Sequence, residues 1–362
     1  MEAEADIVIV GAGISGLATS LGLHRLGIRS LVLESSDSLR TTGFALTTWT
    51  NTWKALDALG LADSLRQQHV TLDGNVTSSR ITGLQTFEMP FKAKGKHGDH
   101  EVRCVKRKLF GTIRFLSKVV SVDESGYFKL VHLADGTILK AKRRLWVTGF
   151  LEWRALRKAG FTEQRLPLAL GSGRITEKEL EENPAPLKQY MLSKLGKIPD
   201  KVKAVVENTE LDAFISFPLR YRHPWELLWG NISKGNACVA GDALHPMTPD
   251  IGQGGYCALE DSVVLARCLG EALLKNSGGE RKDKEGEEGK EKYERIEMGL
   301  NKYANGRRWR SFDLISTSYV VGFLQESNGK FMNFFRDKCL SPILAGLRLK
   351  KADFDCGKLS IS

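Results

Sequence analysis

The run Gly11-Ala12-Gly13-Ile14-Ser15-Gly16 constrains this chain more than any other feature. It follows a β-branched stretch, Asp6–Val10, and opens a segment where Ile14, Leu17, Ala18 and Leu21 recur at helical spacing. Gly27 closes that helix, Ser30–Leu33 reads as a second buried strand, and Glu34 ends it. The pattern predicts a complete βαβ unit with parallel strands. Gly11 makes the tight turn, Gly13 lets backbone approach a pyrophosphate, and Gly16 lets helix and sheet pack closely. A helix N-terminus offers unpaired N–H groups and positive potential to phosphates. Glu34 stands where a carboxylate accepts hydrogen bonds from an adenosine ribose. Gly11, Ala12, Gly13, Ile14, Gly16 and Glu34 are therefore expected to hold the ADP part of a dinucleotide. The plainer alternative, a glycine-rich turn without a ligand, leaves the registration of all these parts unexplained. The fingerprint alone does not separate FAD from NAD.

A second glycine-rich segment lies about 230 residues further on. The predicted strand Ala237–Ala240 runs into Gly241-Asp242-Ala243-Leu244-His245-Pro246, then Met247–Gly255, then a predicted helix over Ala258–Leu274 that carries Glu260 and Asp261. An aspartate at a strand end can accept hydrogen bonds from ribityl hydroxyls. A loop containing Pro249, Gly252, Gly254 and Gly255 leaves backbone N–H groups free to face an isoalloxazine ring, where reduced flavin carries negative charge. The bland alternative is a strand–loop–helix connection.

With these two segments, the chain resembles the class A flavoprotein monooxygenases, which include salicylate hydroxylase-like and zeaxanthin epoxidase-like enzymes, and most of all their plant members. Further likeness lies in Thr52–Gly60, Arg103–Arg107, Leu219–Arg222 and Phe354–Leu359, and it spans 5–140 and 177–362. The resemblance implies an α/β, FAD-binding Rossmann-like fold of the GR2, hydroxylase-like type with C-terminal helices. It implies that Gly11, Gly13, Gly16 and Glu34 hold the ADP half of FAD, and that Arg107 approaches the flavin and its phosphates. Asp242 binds the ribityl chain in that pattern, and Pro249–Gly255 lies beside the ring. The implied reaction takes NAD(P)H and O2, places one oxygen atom on a hydrophobic or aromatic small molecule and releases the other as water. No catalytic side chain is assigned, because the cofactor carries the redox chemistry. His245 is read as packing within the flavin loop rather than as an acid.

The chain also departs from this family. A second motif, an Asp-Gly pair after the β-meander, is replaced by Arg143-Arg144-Leu145-Trp146-Val147-Thr148-Gly149-Phe150. Two arginines in a buried strand are unfavourable without partners. A Cys-Asp-Gly-Val run encoded TGT GAC GGG GTT C reads Val-Thr-Gly-Phe when shifted by one base, which matches Val147–Phe150. The segment from about Lys142 to Ile175 is accordingly read as a frameshifted or mis-spliced stretch, and the β-rich substrate domain as incomplete. If the segment is genuine, the expected alternative is a catalytically impaired FAD- or nucleotide-binding relative.

The expected division is an FAD-binding unit over 1–75, 100–150 and 235–275, with a substrate domain over 76–99 and 151–234. A charged loop follows over 276–293, then C-terminal helices and tail over 294–362. Further helices are expected over Asn51–Leu59, Glu177–Lys194, Asp200–Asn208 and Glu294–Leu324, a strand over Phe214–Tyr221, and a meander over Lys118–Val122, Tyr127–Leu133 and Thr137–Leu139.

The formal charge of +10 has no nucleic-acid motif beside it, and the basic run Lys92–Lys108 lacks the aromatics that stack bases. Attraction to phosphate-bearing cofactors is the simpler reading. The six cysteines form no C-x-x-C pair, so neither a disulfide framework nor a metal site is expected. The Asp242 motif weighs against a plain NAD(P)-dependent dehydrogenase. The early first strand and the short apolar runs predict a cytoplasmic protein without a transmembrane segment, leaving plastid location or peripheral membrane contact open. A monomer or homodimer is expected.

Overall fold

The computed structural model describes residues 6–39, 45–79, 82–92, 94–96, 98–106, 113–125, 128–141, 164–165, 183–214, 220–274, 285–326, 334 and 341–360. Strand β1 (Ile7–Val10) is buried along its whole length. It pairs in parallel with β2 (Ser30–Leu33), Ile7 opposite Ser30 and Val10 opposite Leu33. Helix α1 (Ile14–Arg25) makes the crossover. Gly27 stops it in the left-handed region at φ 73°, a conformation that costs glycine no Cβ clash. A third parallel strand, β3 (Ile113–Arg114), pairs with Val32 and Leu33 and completes the order β1-β2-β3.

Alternation along β1 splits the core. Ile7 and Ile9 face a cluster with Leu17, Leu23, Leu265, Leu269 and Leu300. Val8 and Val10 face Val119, Val131, Leu133 and Leu139 of an antiparallel meander, Val119–Ser125, Phe128–Leu133 and Ile138–Ala141. Each such fully buried aliphatic side chain contributes roughly 1.5–3 kcal/mol.

Helix α2 (Thr50–Ala58) and the long helix α3 (Gly254–Leu274) lie beside α1. The approach is close: a Cβ on Gly22 would stand 2.8 Å from the Ala266 methyl. Helix α4 (Glu285–Glu326) covers α3 by burying Ile296, Leu300, Tyr303 and Ala304 in the same cluster. Helix α5 (Ser341–Ala352) brings Ala345 and Ala352 to Trp49, Met89, Phe91, Val102 and Tyr256. The tail is pinned to this assembly. Arg267 donates to the Cys356 and Lys358 carbonyls at 2.8 Å each, Leu359 enters the main core, and Phe354 lies 4.3 Å from the Arg310 guanidinium. Among the described residues, no helix is long and apolar enough to cross a membrane.

Several expected boundaries move. The charged loop over 276–293 is contradicted from residue 285 onward, where α4 has already begun. Glu and Lys are good helix formers as well as solvated residues, and exposed pairs such as Lys290–Glu294 sit at i,i+4. Helix α3 starts at Gly254 rather than Ala258, since a first helical turn needs no backbone partner for its N–H groups. Pro184–Lys194 is helical, with the Asn183 side chain accepting from the Ala185 N–H at 3.2 Å, whereas 177–182 lie outside the described residues. Asp200–Asn208 is helical as expected.

The strand expected over Phe214–Tyr221 is described only at Arg220–Tyr221, paired with Gln164–Arg165, and Phe214 instead ends a short 3-10 turn. Ala237–Cys238 forms a hairpin with Ser233–Lys234 and does not extend the parallel sheet. Most of the anomalous stretch 142–175 lies outside the described residues.

Candidate functional site

Two glycine-rich segments meet at the N-terminus of α1. Gly11 takes φ 98°, and its N–H donates to the Leu33 carbonyl at 2.7 Å, locking the turn to β2. A Cβ on Gly16 would stand 2.0 Å from the Gly11 carbonyl oxygen, so the turn excludes every other residue there. Gly13 occupies the N-cap position without a side-chain cap, and the first turn of α1 carries no acidic residue. Its N–H groups are thus left for an anion. The buried Ser15 hydroxyl at this end has no hydrogen-bond partner.

Glu34 reaches back across the turn. Its Oε2 accepts the Ala12 N–H at 2.7 Å, and its Oε1 accepts the Ser36 N–H at 3.0 Å. Half-burial opposes the charged form, but the Ser36 and Ala12 hydrogen bonds outweigh it and hold this carboxyl below the usual range. An ionised acceptor with lone pairs to spare stands at the end of β2.

The second segment packs directly on the first. Gly241, at φ 60°, approaches α1 so closely that an added Cβ would lie 2.8 Å from Ser15 Cβ. A Cβ on Gly255 would touch Ile14 Cδ1 at 3.4 Å. Ser262 of α3 donates its hydroxyl to the Ser15 carbonyl at 3.0 Å. Asp242 sits in a short turn, Gly241–Ala243. Its side chain is exposed to solvent, and the protein packed around it raises its pKa. Pro249 opens a further turn, Pro249–Ile251, and Gly252 leaves it in the left-handed region at φ 61°. Gly254 begins α3. The structure thus gathers Gly11, Ala12, Gly13, Ile14 and Gly16 with Asp242, Gly254 and Gly255. Arg107 lies outside the described residues.

Beneath this surface lies a buried ionic network that sequence reading did not assemble. Asp261 Oδ2 accepts the Gly241 N–H at 2.8 Å and pairs with His245 Nε2 at 2.7 Å, while its Oδ1 accepts Arg307 Nε at 2.6 Å. Glu260 accepts from Arg307 Nη2 at 2.8 Å, Arg310 Nη2 at 2.7 Å and Asn51 Nδ2 at 2.7 Å. Asn51 Nδ2 also donates to Gln253 Oε1 at 2.9 Å. Burial opposes ionisation of both carboxyls, but the cations prevail: Arg310 and Arg307 hold Glu260 low, and His245 and Arg307 hold Asp261 low. His245 is fully buried and occupied by Asp261, which agrees with a packing role. His245, Cys257 and Asp261 place ligand-type atoms within 4.8 Å of one another, yet Arg307 already supplies the cation, with Nη2 3.1 Å from Cys257 Sγ. The available signal was a Glu-Asp pair inside an apolar helix and Arg307-Arg308-Trp309-Arg310 in another.

Tyr256 is buried against Trp49 and Phe91, with its hydroxyl donating to the Thr47 carbonyl. Packing at the start of α3 therefore runs through a bulky phenol.

A family model described as an FAD binding domain matches residues 4–111 and 216–298. Monooxygenase 2 of Arabidopsis thaliana is 47% identical over 409 residues, covering 99% of this chain and 99% of that protein. The chain belongs to the FAD-dependent monooxygenases of the class A flavoprotein hydroxylase family. Monooxygenase 1 of Arabidopsis thaliana is 31% identical, covering 98% of this chain and all of its own length. This monooxygenase shares its fold with Klebsiella pneumoniae HpxO, whose crystal structure holds FAD and uric acid, at a TM-score of 0.73 and 18% identity over 99% of each chain. The alignment with Monooxygenase 2 is longer than the 362 residues here, so that relative carries segments this chain lacks.

Proposed function

We propose that this monooxygenase holds FAD across the two glycine-rich segments and uses NAD(P)H and O2 to hydroxylate or epoxidise a small hydrophobic or aromatic molecule. The observation that carries the reading is the junction at α1, where Ser15 meets Gly241 and Ile14 meets Gly255. Two nucleotide-type loops far apart in sequence converge on one uncapped helix end.

The residues present fit the group. The uncapped N-terminus of α1 suits a diphosphate, and the glycines keep the approach free of Cβ atoms. Glu34 accepts from ribose hydroxyls. Asp242 accepts from the ribityl chain, and the α3 N-terminus with its preceding loop faces the ring and favours negative charge there. FAD, when bound, supplies hydride acceptance and oxygen activation. The chain's own contribution is binding, orientation and a water-poor floor. His245, buried against Asp261, moves no proton to substrate. A flat, small substrate agrees with the uric acid bound in HpxO. The division into an FAD unit and a reduced substrate domain, and a cytoplasmic location, belong to this proposal.

The test is an absorbance spectrum of purified protein with released flavin identified by chromatography, followed by NAD(P)H oxidation coupled to O2 uptake. Stoichiometric FAD with coupled turnover supports the reading. Protein that takes up no FAD overturns it.

A second reading, an impaired flavin-binding relative, has its own support: the absent Asp-Gly pair at Val147–Phe150 and the longer relatives. Bound FAD without substrate-stimulated NAD(P)H oxidation across a panel of aromatic acids, phenols and heterocycles favours it. A transcript that restores the Asp-Gly motif in another frame traces the defect to the reading frame rather than to the protein family.

A further inference from the structure

We propose that Arg307, on α4, is a positioning residue for the flavin half of the site, acting through Asp261 on the turn that carries Asp242. The proposal rests on FAD binding and names the device that holds one half of the cofactor site in shape.

One carboxylate restrains Asp242 from both sides in sequence. Asp261 Oδ2 accepts the Gly241 N–H immediately before it and pairs with the His245 ring three residues after it. The His245 backbone N–H in turn donates to the Gly241 carbonyl at 2.9 Å, closing the turn on itself. Asp261 is fixed by its other oxygen, which accepts Arg307 Nε at 2.6 Å. The second face of the Arg307 guanidinium holds Glu260, and Glu260 holds Asn51, whose amide grips Gln253 between Gly252 and Gly254. A single planar cation thus reaches both stretches assigned to the flavin, the Asp242 turn and the Gly252–Gly255 loop. A guanidinium can do this because its donors point in two directions at once.

The network is dry. Arg307 is 1% exposed, and Glu260, Asp261, His245 and Asn51 are 0% exposed. Removing one partner of such a pair is far worse than never having built it, since a buried carboxylate is left uncompensated. Glu260 would keep Arg310, whereas Asp261 would be left with His245 as its ionic partner beside the Gly241 N–H. Relief comes by protonation of Asp261 or by rotation of its carboxyl away from Gly241, and either loosens the turn.

The ADP half does not share these partners. Its turn is held by Gly11 to Leu33 and by Ala12 to Glu34. Loss of Arg307 should therefore divide the cofactor site, and a general loss of fold should not.

The experiment compares wild type, Arg307→Met and Arg307→Lys by calorimetric titration with FAD, FMN and ADP. For Arg307→Met we expect FAD and FMN to bind at least about tenfold more weakly, with ADP affinity within about twofold of wild type. Arg307→Lys keeps the charge but serves one carboxylate at a time; it should lose less FMN and FAD affinity, again with ADP spared. If Arg307→Met does not fold, the Arg307→Lys pattern decides. Unchanged FMN affinity in the variant that folds, or parallel loss of ADP and FMN, overturns the proposal. Wild-type protein that binds neither FAD nor FMN overturns the cofactor reading together with it.

Discussion

Ala12 donates its backbone N–H to Glu34 Oε2 at 2.7 Å, joining the first glycine turn to the end of β2 across 22 residues. Burial opposes the charged form of this carboxylate, but the Ser36 and Ala12 N–H groups hold its pKa below the usual range. The turn proposed to hold ADP is thereby shaped by local chain geometry.

Glu34→Ala should weaken FAD binding about 10- to 100-fold, the worth of hydrogen bonds to a charged acceptor at roughly 1.5–3 kcal/mol. FMN lacks the adenosine ribose, so its affinity should stay at the wild-type value. Fluorescence titration with each flavin checks this. Equal loss of both would place Glu34 in the fold rather than at the ribose.

Gly16→Ala puts a methyl carbon 2.0 Å from the Gly11 carbonyl oxygen. That contact is with backbone, which cannot swing aside. We expect destabilisation of about 1–3 kcal/mol or more and no co-purifying flavin, read from a denaturant curve and the visible spectrum. A variant of wild-type stability carrying stoichiometric FAD would show that the turn relaxes freely.

His245 governs stability on the alkaline side. Burial disfavours its cation, but Cys257 and Asp261 more than compensate, so its folded pKa stands well above the ordinary value. The unfolded chain releases this proton near pH 6.5, while the folded chain keeps it. The contribution is full below about pH 6.5 and fades as pH rises toward the folded pKa. Thermal midpoints at about pH 6 and about pH 9 should therefore fall for wild type, and fall less for His245→Gln. Parallel pH profiles would mean that the ring is neutral throughout.

Trp53 is 1% exposed on α2, with the guanidinium groups of Arg66 and Arg103 at 5.2 and 5.6 Å from its ring. Trp53→Ala should cost about 3–5 kcal/mol, through the lost apolar burial and the cavity left behind. Urea unfolding should show a lower midpoint with an unchanged slope. A loss below about 1 kcal/mol would mean that the site collapses around the alanine.

The β1–α1–β2 unit could be read from sequence because everything that defines it is local. Strand alternation, helical spacing and Gly27 all act within a few residues of one another. The same holds for the meander, whose turns are marked by their own glycines. The strand at Ile113–Arg114 is not legible in the sequence because two residues carry no period, and only parallel pairing with Val32 and Leu33 makes them a strand. The helix preceding Glu294 is not legible in the sequence for a related reason. A Glu- and Lys-rich composition suits both a solvated loop and a helix, and the choice was made downstream, where Ile296, Leu300 and Tyr303 dock α4 on α3.

By itself the amino-acid sequence determined the class of fold, the two glycine turns and the kind of cofactor they suit, since steric exclusion at a turn and free N–H groups at a helix end are properties of a few neighbouring residues. Only the tertiary structure decided that Ser15 meets Gly241, that Arg307 reaches both Glu260 and Asp261, and that His245 is spent on a buried pair. Those relations join residues tens to hundreds of positions apart. A charge in a helix is solvated or partnered according to what packs against it, and that is settled only when the helices dock.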